Sequence, residues 1–298
     1  MNKFYILIFF IVAQIACSCH KNKGDIGSDL NEWKLQGNVK SISEIDYSNT
    51  GKYSAYLLFN SHGFIQEQTT FNTDGSLIRK WKYEYNTRNQ KLIRSCYILN
   101  DSLSGVLHYN YNEADKITQE KLLTPAGLLL SNIEHQYDIN QNNIEIRFSN
   151  DKAKIQGAVL YKYDKSNKLM EELHLDTVTH QNWKQRFTYN KDGLNVEVLY
   201  LSLEDSLIKK STYSYLPNNQ VGEACSLNAQ NELISKTTYK YDTQENVTLK
   251  LICNSSEKTT KKHIFKYTYD KHKNWTFRYE YINDQIDDII SRKLEYYE

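Results

Sequence analysis

Hydrophobic and polar residues alternate along this chain with a period of two, not 3.6. In Trp81-Lys82-Tyr83-Glu84-Tyr85 the aromatic rings share one face and the charges the other, and Phe265-Lys266-Tyr267-Thr268-Tyr269 repeats the arrangement. That alternation predicts half-buried strands. Turn-formers interrupt it at regular places, as in Asn60-Ser61-His62-Gly63, Asp164-Lys165-Ser166-Asn167 and Asn190-Lys191-Asp192-Gly193. Second strands follow, for example Val247-Thr248-Leu249-Lys250-Leu251, and then second turns such as Thr73-Asp74-Gly75 and Thr124-Pro125-Ala126-Gly127. The unit is a β-hairpin plus the turn to the next.

The units recur. Phe59, Tyr85, Tyr111, Tyr137, Tyr163, Tyr189, Tyr215 and Tyr241 follow one another with a constant 26-residue period, which marks a repeat architecture. Trp33 lies one period before Phe59, and a longer 28-residue step leads to Tyr269 and again to Tyr297. About ten units therefore run from Trp33 to the C-terminus, giving roughly 20 antiparallel strands. Open twisted sheets rarely pass about ten strands without curling. The expected fold is all-β: a long meander in one curled or spiral sheet with the aromatic side chains on its concave face. The other face carries Lys, Glu, Thr and Asn, which argues against a lipid-facing band and so against a transmembrane barrel.

Composition agrees with strand. The chain has 24 tyrosines but only 2 prolines and 11 glycines, and tyrosine favours pleated, half-buried surfaces. The 37 basic and 36 acidic residues balance, leaving no electrostatic footprint for nucleic acid. Phe4 to Ala16 is an apolar run after Lys3, too short to span a bilayer and suited to a secretory signal. The expected organisation is a signal peptide over 1–16, a polar tether over 17–32 and one repeat domain over 33–298.

Gln14-Ile15-Ala16-Cys17 resembles a bacterial lipobox, which implies lipidation of Cys17, with Cys19 as the alternative position. That implies export and a lipid anchor in the outer membrane. The stretch Ser18-Cys19-His20-Lys21-Asn22-Lys23 directly after Cys17 carries no acidic residue, which tilts the reading to the periplasmic side. Tyr163-Asp164-Lys165-Ser166-Asn167-Lys168-Leu169 and Tyr189-Asn190-Lys191-Asp192-Gly193-Leu194 resemble YD repeats of the Rhs type, which form spiralling hairpin sheets. The unit here is longer, and no associated core or toxin domain is recognisable. Leu35-Gln36-Gly37-Asn38-Val39-Lys40-Ser41-Ile42 and Lys273-Asn274-Trp275-Thr276 are similar to uncharacterised exported lipoproteins of Bacteroidota. Asp101-Ser102-Leu103, Asp176-Thr177-Val178 and Asp205-Ser206-Leu207 resemble O-glycosylation acceptors of such proteins.

No residue pattern points to catalysis. The eight histidines have no metal-ligand spacing, and no phosphate loop, dinucleotide fingerprint or nucleophile elbow occurs. No cofactor or metal is therefore expected, and the protein is read as a non-enzyme. His62 and His272 read as solvated turn residues, and Asp284, Asp287 and Asp288 as a solvated acidic loop. Cys96, Cys225 and Cys253 read as small buried residues. Cys225 and Cys253, one strand apart at about 9–10 Å, lie too far for a disulfide.

One constellation remains as a candidate site. Tyr83, Tyr109, Tyr161, Tyr213 and Tyr239 precede the marker by two residues in their units. They form a rail with one ring about every 9–10 Å, which serves either as hydrophobic core or as a stacking surface for an extended glycan. The leading expectation is a lipid-anchored envelope protein acting as a binding or scaffold module for a protein partner; a glycan-binding protein using the rail is the alternative. Departures from the repeat at His135, Leu216 and the 28-residue unit are the places to look for a specific site.

Overall fold

A computed structural model describes residues 28–47, 53–72 and 74–298. Cys17, Cys19 and the segment expected to be a signal peptide lie outside them. A short helix α1 (Asp29–Glu32) is followed by twenty strands. The first ten are β1 (Val39–Asp46), β2 (Tyr53–Phe59), β3 (Ile65–Phe71), β4 (Leu77–Tyr85), β5 (Lys91–Ile98), β6 (Ser102–Tyr111), β7 (Ile117–Leu123), β8 (Leu129–Tyr137), β9 (Asn143–Asn150) and β10 (Ile155–Tyr163). The second ten are β11 (Leu169–Asp176), β12 (Trp183–Tyr189), β13 (Asn195–Leu201), β14 (Leu207–Tyr215), β15 (Val221–Asn228), β16 (Leu233–Tyr241), β17 (Val247–Asn254), β18 (Thr259–Tyr269), β19 (Trp275–Ile282) and β20 (Gln285–Tyr296).

Each strand pairs antiparallel with its neighbours in sequence, and β20 pairs back onto β1. The sheet is a closed barrel. The expected curled or spiral sheet is corrected on this point. Closure removes the two exposed edges that a spiral would leave, and unpaired edges invite association with other chains.

Two sets of hairpin turns define the two rims. At the first rim the residue after the marker caps the turn. Asn60 Oδ1 accepts the backbone N–H groups of His62 and Phe64, each at 3.0 Å. Asn86, Asn112, Asp138, Asp164, Asn190, Asp242 and Asp270 repeat this cap. The fourth turn residue takes the left-handed conformation, at Gly63, Asn89, Asp115, Gln141 and Asn167 among others. Only two first-rim turns place glycine there, so capping and the strand ladder hold conformations costing about 1–2 kcal/mol each.

The 26-residue beat has a bond of its own. The marker hydroxyl donates to the backbone carbonyl twenty residues earlier, across the open end of the hairpin. Examples are Tyr85 to Ile65 at 2.7 Å, Tyr111 to Lys91 at 2.7 Å, Tyr163 to Asn143 at 2.9 Å and Tyr241 to Val221 at 2.9 Å. Such a bond is worth about 0.5–1.5 kcal/mol net. Burial pushes the phenols upward, Tyr111 and Tyr189 to about 12, so they stay protonated donors.

The two inserted residues lengthen β18 and divide the marker's work. Tyr267, one regular period after Tyr241, keeps the carbonyl bond, donating to Val247 at 3.2 Å. Tyr269 marks the turn instead and donates to the Asp242 carboxylate.

Trp33 is not a strand marker. It terminates α1 and is 36% exposed. The strand position it would have introduced is occupied by β20, whose following residue Tyr297 donates to the Phe59 carbonyl at 2.6 Å. Packed structure also begins earlier than residue 33. Leu30 and Leu35 bury against Val39, Ile42, Leu57, Phe59 and Ile65. Asp29 accepts the Ile65 N–H at 2.6 Å, and Gln36 exchanges hydrogen bonds with the Asn274 side chain. Residues 28–38 thus line the inner side of the first rim where the barrel closes. The largest fully buried side chains, Phe59, Ile42, Val39 and Thr69, are all on β1–β3.

Replacing Phe59 by Ala empties the centre of that cluster. The expected cost is about 3–5 kcal/mol, read as a lowered urea midpoint. A shift under about 1 kcal/mol, far below the usual cost of such a cavity, would show that closure does not depend on this packing.

Candidate functional site

The barrel wall has an aromatic-rich inner face and a predominantly polar outer face. Along β4 residues 78, 82 and 84 are exposed, whereas Arg79, Trp81, Tyr83 and Tyr85 are half-buried. Strand register carries this inner set around the ring: Tyr83 opposes Arg94, Tyr109 opposes Glu120, Tyr161 opposes Glu172, Tyr213 opposes Ala224 and Tyr239 opposes Lys250. All five rail tyrosines therefore face the inside.

Their burial is unequal. Tyr109 is 8% exposed, while Tyr83, Tyr161, Tyr213 and Tyr239 are half-buried. Barrels of about 16–18 strands already leave a channel that side chains do not fill. Burial is deepest on β1–β3, where Tyr83 packs against the hydrophobic cluster, and Leu107, Ile146, Val159 and Val198 are buried on the inner face of other strands. A ring of twenty strands is wide enough for the half-covered remainder of the rail to border a lumen. Burial raises the hydroxyls of Tyr83, Tyr109 and Tyr239 above their ordinary value.

Charged groups share this inner face, which the alternation pattern did not reveal. Near the closure, Arg278 binds Asp288 at 2.7 Å, and Arg292 binds Glu44 at 2.5 Å while stacking 3.5 Å from the centroid of Trp275. His263, 8% exposed, contacts Glu280 through Nδ1 at 2.7 Å. Farther round, His135 bridges Glu120 at 3.1 Å and Asn143 at 3.0 Å, and His174 stacks on Trp183 at 3.6 Å. His135, a departure from the tyrosine rail, is thus held in a polar bridge.

Asp288 is not part of a solvated loop. It lies within β20, facing inward, while Asp284 sits in the preceding turn bound to Lys262 at 2.9 Å. His272 is likewise not a free turn residue, because its ring packs 4.1 Å from that of Tyr296. His62 is exposed. Cys225 and Cys253 flank Lys236 on the outer face, half-buried, and Cys96 faces inward opposite Trp81; all three thiols are free. The expectation of small buried residues is therefore corrected to half-buried ones on both faces.

The outer face carries ion pairs, among them Lys184–Asp205, Arg186–Glu171 and Lys236–Glu223 at 2.7–2.8 Å. Exposed Ile78, Leu130, Ile208 and Ile234 recur at one repeat position near the second rim. Ser102, Thr177 and Ser206 are also exposed at that rim. Leu216 breaks the capped-turn pattern. It borders an open groove of about 520 Å³ lined by Asn190, Leu194, Tyr213, Tyr215 and Pro217. Among the described residues no group of three or more His, Cys, Asp or Glu is placed to hold a metal ion.

No protein-family profile matches the chain, and no curated protein matches it. Among solved structures, the TcdB2–TccC3–Cdc42 complex aligns at 16% identity over 82% of this chain and 15% of that one, TM-score 0.37. The chain thus spans about a seventh of that relative's length. A porin-like protein from Bacteroides uniformis aligns at 13% identity over 87% and 99% of the two chains, TM-score 0.40. One from Bacteroides vulgatus aligns at 14% identity over 69% and 97%, TM-score 0.33.

Across the closure Asp288 approaches Asp46, and burial together with this like-charged neighbour raises the Asp288 carboxyl above its ordinary 3.8. Such a group takes up a proton more readily folded than unfolded. Its penalty is in full force at neutral pH and is relieved as pH falls from the raised value towards 3.8. Asp46→Asn is therefore expected to raise the urea midpoint at pH 7, and its advantage over the native chain should shrink on mild acidification. An advantage that does not change with pH would contradict this account.

Proposed function

We propose that the protein is a non-enzymatic binding module of the bacterial cell envelope. It takes a ligand into its barrel lumen and is held at the outer membrane by a lipid on Cys17. The observation that carries this reading is the half-buried state of Tyr161, Tyr213 and Tyr239 on the inner face of a closed ring, away from the hydrophobic cluster against which Tyr83 packs. Side chains serving only as core would be covered, as Phe59 and Ile42 are. Half-covered aromatic rings offer stacking area with little conformational freedom to lose on binding. The rail's spacing of about 9–10 Å suits an extended ligand, and a glycan fits that description best. The resemblance to YD repeats and to exported lipoproteins supports the address, with the periplasmic side favoured by the tether.

A scaffold role through the outer wall is the second reading. The exposed row Ile78, Leu130, Ile208 and Ile234 favours it, because apolar side chains repeated along one rim present a docking strip for a protein partner.

Photo-crosslinking in cells separates the two readings. A photoreactive residue at Tyr213 in the full chain is expected to capture a ligand, and one at outward Ile208 is not. Capture from Ile208 alone favours the scaffold and overturns the lumen reading. The anchor has its own test: Cys17→Ala is expected to abolish incorporation of labelled palmitate and release the protein from the membrane fraction. Retained labelling moves the lipid elsewhere.

A further inference from the structure

Most arginines among the described residues have a carboxylate partner. Arg88 binds Asp115, Arg147 binds Glu145, Arg186 binds Glu171, Arg278 binds Asp288 and Arg292 binds Glu44. Arg79 and Arg94 are the exceptions. Neither guanidinium has an ion pair or a hydrogen bond among the described residues, and the Nε of each is buried without a partner.

Their placement is specific. Arg79 precedes Trp81 by two residues on β4, and Arg94 opposes Tyr83 on β5, so both lie on the inner face. Both guanidiniums pack on Trp81, at 5.6 and 4.6 Å from the ring centroid. The indole thus holds two like charges on the same stretch of wall, a cation–π arrangement that stiffens otherwise mobile side chains. No carboxylate is paired with them: inward Glu120, on the neighbouring β7, is bound to His135. The inner face of β2–β6 carries no carboxylate, since Glu67 and Glu84 fall on the outer set of their strands. The other inward cation there, Lys91, has Asp29 and Glu32 of the helix and Glu120 of β7 as its acidic neighbours and stacks on Tyr83 at 4.7 Å.

Two neighbouring, partly desolvated cations with no ion-pair partner repel each other and lack the compensation that buried charges normally have. The repeat does not demand them: the positions one period after Arg79 and Arg94 are Gly105 and Glu120. A fold that neutralises its other arginines and leaves this pair open is prepared to receive negative charge there. Guanidinium forks match the planar or tetrahedral oxygens of carboxylate, sulfate and phosphate groups better than any other side chain.

We propose that Arg79 and Arg94, positioned by Trp81, form an anion-binding site on the lumen wall that takes the acidic group of the bound ligand. An acidic saccharide is the ligand class this implies. Its charged group lies on the arginine pair and its sugar rings extend from there towards the half-covered part of the tyrosine rail, Tyr161, Tyr213 and Tyr239. This rests on the lumen reading above and adds the charge of the ligand to it.

Thermal unfolding of the full-length protein tests the site, because a ligand that binds only the folded state raises the melting temperature. The probes are oligogalacturonate against neutral oligogalactose, and sodium sulfate against sodium chloride at equal ionic strength. The acidic saccharide is expected to raise the melting temperature of the native chain more than the neutral one does. Arg79→Gln/Arg94→Gln is expected to abolish that difference and to reduce the sulfate shift to the general salting effect seen in both proteins. Arg79→Lys/Arg94→Lys keeps the charge without the fork; it is expected to retain part of the shift, and it serves as the test should the Gln pair fail to fold. Equal shifts from acidic and neutral saccharide, or an acidic shift that survives in both double variants at full size, overturn the anion site. Equal shifts that disappear when Tyr213 and Tyr239 become Ala would overturn it too, while leaving lumen binding standing.

Discussion

The barrel depends on one pairing between the two ends of the chain. Strand β20 must find β1, at the opposite end of the sequence, with Val39 opposite Tyr296 and Asp46 opposite Ile290. Every other pairing is local, between strands consecutive in sequence. Loop-closure entropy therefore weighs most on this one contact, and contacts of such separation slow folding most. The densest packing in the molecule sits beside it, with Val39, Ile42 and Phe59 removed from water by Leu30 and Leu35. Phe59 alone among the markers before Tyr241 carries no hydroxyl. Its carbonyl instead accepts the Tyr297 bond that ties the last strand to the second.

Away from the closure, stability is distributed rather than concentrated. Each unit contributes a ladder and one phenol–carbonyl bond, with a capped turn except at Leu216, and each depends mainly on its neighbours, as in other repeat architectures. That division frees the inner wall. Because no unit needs a fully covered core, the inward positions accommodate Trp81, His135, Glu172 and Arg278 without disrupting the strands that carry them. The outer wall makes the converse choice and pairs its charges across strands at the surface, where each pair is worth little but keeps the sheet wet on one side.

Much of this was legible in the sequence, for reasons that can be stated. Strand alternation, the capping Asn or Asp and the left-handed turn residue are local signals, and Tyr85, Asn86 and Asn89 carry all three within a single turn. The count of about twenty strands followed. Closure was not legible, because twist and strand number limit an open sheet without saying whether its ends meet. Trp33 misled for a related reason: it keeps the beat, but its strand slot is filled from the other end of the chain. Asp288 looked like one member of an acidic run, yet register turns it inward and leaves Asp287 outside. The Arg79–Trp81–Arg94 group was hidden by a separation in sequence that only the β4–β5 register collapses. The candidate rail was found from spacing; its half-covered state depends on the width of the ring.

The phenol–carbonyl bond has a consequence for how such a protein changes size. Because Tyr111 reaches back to a carbonyl in its own neighbourhood, the bond is indifferent to how many units precede it. A gene that duplicates or deletes one 26-residue segment would keep every rule of the wall and alter only its girth. Two strands at about 4.8 Å apiece change the bore by roughly 3–4 Å. Bore width is then a quantity that heredity can adjust in discrete steps, separately from the chemistry of the inner wall.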